Sequence, residues 1–220
     1  MPFHAVVFDL DGTLLDTYED LADSLNAVLA AIGRPALPGE LVKQYIGDGV
    51  DALVRRALGD AAQPENVAQC AASFRAEYSR RWDCKTHPFD GVVELIAALG
   101  QRKIPMGVLS NKPDPFTQNC VAKLLPADAF NAVLGAKPEI PRKPDPTGAR
   151  WIAEQLGVRP DETLYLGDTG TDMQTAVSAG MAAIGATWGY RSADELLAHG
   201  AVRLISKPEE LLQLLNGSAS

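Results

Sequence analysis

Short apolar runs alternate with helical periods along most of this chain. The segment His4-Ala5-Val6-Val7-Phe8 is β-branched and aromatic and stops abruptly at Asp9-Leu10-Asp11-Gly12-Thr13, the pattern of a buried strand with a polar end. Runs of the same texture recur at Ile104–Leu109, Ala132–Leu134, Thr163–Leu166 and Met181–Ala186. Between them, Val92, Leu95, Ile96 and Leu99 follow i, i+3, i+4, i+7 behind Asp90, which stands at an N-cap position. Met173, Ala176, Val177 and Gly180 repeat that spacing after Asp168. Strands separated in this way by helices predict an α/β fold, a parallel sheet with helices on both faces.

The texture changes between the first two strands. Leu21, Leu25, Val28, Leu29 and Ile32 line one helical face, and Leu53, Val54, Ala57 and Leu58 line another, with no strand pattern among them. This stretch is far longer than a connection inside an α/β unit, so it reads as an inserted all-helical domain over residues 16–85, the core being formed by 1–15 and 86–220. The closing residues 216–220, Asn-Gly-Ser-Ala-Ser, have nothing to bury and are expected to fray.

Charge narrows the partners. With 20 Lys and Arg against 28 Asp and Glu, the chain carries a net charge of −8, which offers no basic surface to nucleic acid or to an anionic membrane. A phosphate site has to be built locally. Cys70, Cys84 and Cys120 are odd in number and widely spaced, which argues against a disulfide frame or a zinc site and fits a reducing compartment. The N-terminus shows no basic region followed by an apolar run, and no segment is long enough to cross a bilayer. A cytoplasmic enzyme is the expectation.

The chemistry gathers at strand ends. Asp9 and Asp11 are two apart, so a strand period sends both carboxylates to one side. Like charges sharing a site need a cation or a proton between them; the alternative for these residues alone is a plain acidic turn with Gly12 at positive φ. Ser110-Asn111-Lys112 follows the second strand, where a hydroxyl, an amide and backbone N–H groups at a helix start suit phosphate oxygens. Lys143-Pro144-Asp145-Pro146 opens another helix and offers a point charge. Gly167-Asp168-Thr169-Gly170-Thr171-Asp172 adds two carboxylates within one helical turn; Asp168 reads either as an N-cap or, with the acids of the first strand, as part of a metal site. Ligand sites of open parallel sheets collect at this edge.

These four segments, in this order, resemble the haloacid dehalogenase superfamily of phosphatases that form an aspartyl phosphate. The cap segment Tyr45-Ile46-Gly47-Asp48-Gly49-Val50, with Pro88-Phe89-Asp90-Gly91-Val92 and Ser110-Asn111-Lys112-Pro113, is similar to the phosphoglycolate phosphatase group. The resemblance implies a Rossmann-like core, a mobile helical cap and Mg²⁺. It makes Asp9 the nucleophile and Asp11 the acid and base for the leaving oxygen. It assigns Asp9, the main-chain carbonyl of Asp11 and Asp168 to the metal, with Asp172 acting through a water or a hydrogen bond. Thr13, Ser110, Asn111 and Lys143 are then the groups that hold the phosphoryl oxygens, Lys143 being preferred to Lys137 because it precedes Asp145-Pro146.

The turn Gly47-Asp48-Gly49 of the cap, with Lys43 and Arg55, is the place to look for leaving-group contacts. The partner expected is a small phosphorylated metabolite, 2-phosphoglycolate foremost, with the protein a monomer or homodimer. A sugar phosphomutase uses the same pair of aspartates, and a catalytically silent ligand-binding domain is the reading of another class.

Overall fold

The computed structural model describes residues 3–215; the segment 216–220, expected to fray, lies outside the described residues. In chain order the strands are β1 (Ala5–Phe8), β2 (Leu15–Asp16), β3 (His87–Pro88), β4 (Met106–Pro113), β5 (Ala132–Ala136), β6 (Thr163–Gly167), β7 (Ala182–Ala186) and β8 (Arg203–Ile205). The helices are α1 (Tyr18–Ala31), α2 (Gly39–Tyr45), α3 (Val50–Leu58), α4 (Pro64–Tyr78), α5 (Val92–Gln101), α6 (Asp114–Leu124), α7 (Thr147–Gln155), α8 (Gly170–Ala179), α9 (Ala193–Ala198) and α10 (Leu211–Leu215). The chain divides into two compact units, one of residues 1–15 and 88–220 and one of residues 16–87.

The first unit holds a six-stranded sheet in the order β5-β4-β1-β6-β7-β8, parallel throughout. Four consecutive residues of β1, Ala5 to Phe8, have no exposed surface, as a central parallel strand covered on both faces requires. Burying Val6, Val7 and Phe8 in this way stabilises the fold by roughly 1.5–3 kcal/mol for each side chain. From β1 the chain builds outward through β4 and β5 on one side, then returns to lay β6, β7 and β8 on the other. The reversal opens a crevice at the carboxyl ends of β4, β1 and β6, where this class of sheet binds ligands. One layer of the core joins Val7, Leu109, Leu134, Ile152, Tyr165, Met173 and Ala176.

Several expectations are corrected. β4 continues past Leu109 to Pro113, with a register shift against β5 in that interval, so Ser110, Asn111 and Lys112 are strand residues and α6 starts only at Asp114. The helix α5 is preceded by Gly91 in the left-handed conformation, with no side-chain cap; Asp90 is not its N-cap. In α8 the buried face is Met173, Ala176 and Ala179, while Val177 is exposed and Gly180 closes the helix at positive φ. β8 escaped the sequence reading, being only three residues long and mostly accessible.

The second unit packs α1 to α4 around Leu21, Leu25, Val28, Leu29, Val42, Leu53, Val54, Leu58, Val67 and Phe74, all buried. Ile32, counted with the buried stripe from its spacing, lies just past α1 and is exposed. A buried carboxylate fastens the end of this unit to its start. Asp20 Oδ2 accepts hydrogen bonds from the N–H of Lys85 (2.9 Å) and of Thr86 (2.8 Å) and from the Thr86 hydroxyl (2.7 Å). In the turn 47–49, Asp48 pairs with Arg56, whose guanidinium also reaches Tyr45 O at 2.9 Å. Lys43 is engaged within its own unit, 3.0 Å from Glu40 and 4.1 Å above the Tyr18 ring. No helix among the described residues is long and apolar enough to cross a membrane.

Candidate active site

β1 ends one residue before Asp9, whose N–H donates to Leu166 O of β6 at 2.9 Å. The ladder with β6 thus extends to Asp9 and delivers its side chain to the carboxyl edge of the sheet. Beyond it, the N–H groups of Leu14 and Leu15 both turn back to Leu10 O at 3.0 Å, and Gly12 sits at φ +92°. A Cβ at Gly12 would lie 2.4 Å from Asp168 Oδ2. Glycine is therefore needed there both for its conformation and for the approach of Asp168.

Asp9, Asp168 and Asp172 converge. Each offers a carboxylate oxygen, and the three oxygens lie within 4.8 Å of one another, with all three residues buried. Asp9 Oδ1 accepts Lys143 Nζ at 2.7 Å, and no partner hydrogen-bonds its Oδ2 among the described residues. Burial, followed by the charge of Asp172, holds the Asp9 carboxyl well above the ordinary carboxylate range, against the lowering effect of Lys143. Burial and then Asp172 push Asp168 up to about 7, opposed by the Tyr190 N–H, by Arg191 and by the Thr13 hydroxyl.

A site of several buried acids and one lysine lacks positive charge. Its donors are hard oxygens, which suit magnesium or calcium and not a soft metal. Asp168 fits that use, because Oδ1 takes one hydrogen bond, from Thr13 Oγ1 at 3.1 Å, and Oδ2 one, from Tyr190 N at 2.8 Å, so each oxygen keeps a lone pair. Asp172 does not fit it directly. Its Oδ1 accepts Lys143 Nζ (2.7 Å) and Tyr165 Oη (3.3 Å), and its Oδ2 accepts the N–H (3.1 Å) and hydroxyl (2.6 Å) of Thr169. Its oxygens are spent on the protein.

Lys143 is buried and bridges Asp9 and Asp172 at 2.7 Å each. Burial disfavours its charge, but Asp172 and Asp9 outweigh burial and raise its pKa well above the ordinary lysine value. Its backbone is held by Asn111, whose Oδ1 accepts Lys143 N at 2.9 Å and whose Nδ2 donates to Lys143 O at 3.2 Å. Lys137, the other lysine before a proline in the segment 137–144, is 41% exposed and pairs with Asp114. The N-cap of α8 is Thr169, in a capping box with Asp172, which leaves Asp168 free of the capping role.

Three candidates behave differently from their sequence reading. Thr13, expected to bind substrate, is fully buried and gives its hydroxyl to Asp168. Asn111, expected on the phosphate, uses its amide to clamp Lys143. Asp11 shares no cluster with Asp9: its carboxylate pairs with Lys112 Nζ at 2.9 and 3.3 Å. Ser110 remains a buried hydroxyl at the crevice, accepting Lys112 N at 3.2 Å.

Sequence reasoning missed four residues here. Lys112 was only the third letter of a phosphate motif, and Tyr165 only a strand position. Trp188 and Gly189 follow β7, in a stretch, Thr187-Trp188-Gly189-Tyr190, that carries no acidic or phosphate-binding motif. Trp188 Nε1 donates to Thr13 O at 3.0 Å, and a Cβ at Gly189 would come within 2.2 Å of Asp168 Cβ, so this loop packs directly on the Asp168 side chain.

A profile of haloacid dehalogenase-like hydrolases matches residues 6–186. The phosphoglycolate phosphatase of Thiobacillus denitrificans is 38% identical over 86% of each chain. That of Pectobacterium atrosepticum is 32% identical over 98% of this chain and 93% of its own. Among solved structures, a Lactobacillus delbrueckii subsp. bulgaricus protein, assigned provisionally as a phosphoglycolate phosphatase, superimposes with a TM-score of 0.94 at 32% identity, covering 99% of this chain and 100% of its own. The chain belongs to the haloacid dehalogenase-like hydrolases, and within them it is phosphoglycolate phosphatase-like.

Proposed function

We propose that this phosphoric monoester hydrolase is magnesium-dependent and acts through a phosphoaspartate at Asp9, with 2-phosphoglycolate as its substrate. The same reading assigns 1–15 and 86–220 to the catalytic core and 16–85 to a cap domain. The observation that carries it is the convergence of the Asp9 and Asp168 carboxylates, within 4.8 Å, beside a buried lysine.

In the first step Asp9 Oδ2, the oxygen left over by Lys143, attacks phosphorus in line. An O–P bond forms, the bond to the leaving oxygen breaks, and Asp11 gives that oxygen its proton. In the second step water attacks phosphorus of the phosphoaspartate and Asp11 takes the water's proton; the bond between Asp9 and phosphorus breaks, inorganic phosphate leaves and Asp9 is restored. Dividing one difficult displacement into two is the gain of covalent catalysis. Lys143 and Ser110 face the charge spread over the equatorial phosphoryl oxygens. Asn111, Thr13 and Asp172 act on the other groups: Asn111 fixes the Lys143 backbone, Thr13 orients Asp168, and Asp172 holds the Lys143 ammonium. Asp9, the Asp11 carbonyl and Asp168 would hold magnesium, which when bound supplies the positive charge that lets a carboxylate approach a phosphate dianion.

The substrate reading draws on the two relatives named above, both phosphoglycolate phosphatases. Phosphate release from 2-phosphoglycolate, sugar phosphates, nucleotides and acyl phosphates, with Mg²⁺ or EDTA, tests it. The expected result is Mg²⁺-dependent turnover, highest with 2-phosphoglycolate and abolished in Asp9→Asn. Undiminished turnover in Asp9→Asn overturns the mechanism, and sugar isomerisation without free phosphate favours a mutase.

A further inference from the structure

We propose that Lys112 recognises the leaving group and selects esters that carry a carboxylate on the carbon next to the departing oxygen. The inference rests on the reading of Asp11 as the acid that protonates that oxygen.

Lys112 and Asp11 form a second ion pair of the crevice, separate from the one made by Lys143. Lys112 Nζ lies 2.9 and 3.3 Å from the two oxygens of Asp11, with side-chain exposures of 3% and 12%. The lysine is held in place along its backbone. Its N–H donates to Ser110 Oγ at 3.2 Å, and its carbonyl accepts the Thr117 hydroxyl at 3.1 Å. The two lysines divide the reaction between them. Lys143 contacts the nucleophile Asp9, on the side of the transferring phosphoryl group, whereas Lys112 contacts Asp11, on the side of the leaving oxygen.

To take a proton from Asp11 the leaving oxygen has to come within hydrogen-bond reach of it. A group on the neighbouring carbon then arrives a few ångströms from Asp11 and from the ammonium paired with it. If that group is a carboxylate, it meets the like charge that Asp11 carries once its proton has passed to the leaving oxygen, unless a cation stands between them. Lys112 supplies that cation, since an ammonium has three N–H donors and can hold Asp11 and a second carboxylate together. The added charge-assisted bond, made in a place with little water, favours the acidic leaving group. A hydroxyl in the same place gains less, and an ammonium is repelled.

The test compares 2-phosphoglycolate, 2-hydroxyethyl phosphate and phosphoethanolamine, whose leaving groups end in an anion, a neutral hydroxyl and a cation, in the full-length wild type, Lys112→Met and Lys112→Arg with Mg²⁺. In the wild type we expect kcat/KM to fall in that order, with at least about a tenfold step between the first two, carried by KM. In Lys112→Met the ratio of the first ester to the second should collapse by about tenfold, whatever loss the two share, while Lys112→Arg should keep it. Wild-type kcat/KM without preference for the carboxylate ester overturns the assignment, and this holds even if Lys112→Met does not fold. An unchanged ratio in Lys112→Met, with both rates lowered, also overturns it and leaves Lys112 as a partner of Asp11 alone. Absence of turnover on all three esters overturns the phosphatase mechanism itself, an outcome distinct from active hydrolysis without preference.

Discussion

Lys143 Nζ bridges Asp9 and Asp172 at 2.7 Å to each, joining the end of β1 to the start of α8 through one buried ammonium. Removing it strands two buried acids. Losing one partner of a buried ion pair costs about 3–5 kcal/mol, and Lys143→Met should approach that loss in urea unfolding at neutral pH. Turnover should fall by about a hundredfold or more. Because protonation relieves stranded carboxylates, the stability deficit should shrink at acid pH. A deficit that does not change with pH would mean that the acids are not what Lys143 compensates.

The acids set the pH dependence of the metal-free protein. A carboxyl whose folded pKa stands above its unfolded value binds its proton more tightly when folded. Asp168 goes from an ordinary 3.8 to about 7, so its contribution to stability is complete below pH 3.8 and is lost as pH rises through about 7. Asp9 is shifted in the same direction. In EDTA, thermal stability should therefore fall between these limits as far as these two groups decide it. Mg²⁺ should restore it most at and above pH 7 and least near pH 4, where protons occupy the same oxygens. Melting curves across that range, with and without Mg²⁺, check this; a Mg²⁺ effect of equal size at both ends would contradict it.

What the sequence could and could not reveal follows from range. The sheet was legible because His4–Phe8 and the later apolar runs each end in polar or glycine residues, a local signal. Asp9 and Asp168 stood out because each falls just past a strand, and Lys143 because of its place before Asp145-Pro146, although α7 begins only at Thr147 and Lys143 lies in the turn ahead of it. Which groups touch was not legible. Asp11 is two residues from Asp9, and spacing alone puts their carboxylates together, yet the turn at Gly12 and a lysine from β4 draw Asp11 to another partner. Thr13 looks like a phosphate ligand until the fold brings Asp168 to it. Tyr165 is indistinguishable in sequence from strand filling, since only the packing of α8 on β6 sets Asp172 beside its hydroxyl.

That hydroxyl makes a third prediction. Tyr165 is fully buried, its Oη lies 3.3 Å from Asp172 Oδ1, and that oxygen also accepts Lys143. Tyr165→Phe keeps the ring and its packing and removes only the polar contact. The expected cost is about 1 kcal/mol of stability and up to tenfold in kcat, with KM nearly unchanged, because the ammonium is less firmly held when the phosphoryl group is transferred. If kcat stays at the wild-type value while stability falls, Tyr165 serves the core and not the site.

The loop after β7 gives the last prediction, since Gly189 is where that loop touches Asp168, the acid proposed to hold the metal. A methyl group there would meet Asp168 Cβ at 2.2 Å and Gly12 O at 2.5 Å, and both neighbours are too close to the backbone to swing aside. In Gly189→Ala the loop has to retreat, and the Tyr190 N–H, now 2.8 Å from Asp168 Oδ2, retreats with it. Asp168 then loses the donor that orients it. Losing a partner of this kind lowers metal affinity by about 10–100-fold, and overpacking adds roughly 1–3 kcal/mol of destabilisation. Calorimetric titration with Mg²⁺ reads the first effect independently of turnover. Gly100→Ala is the control, because Gly100 lies in α5 with nothing within 4 Å of the added carbon; it should gain about 0.5–1 kcal/mol and leave Mg²⁺ binding as it was. Equal Mg²⁺ affinity in Gly189→Ala and Gly100→Ala would show that the β7 loop does not orient Asp168.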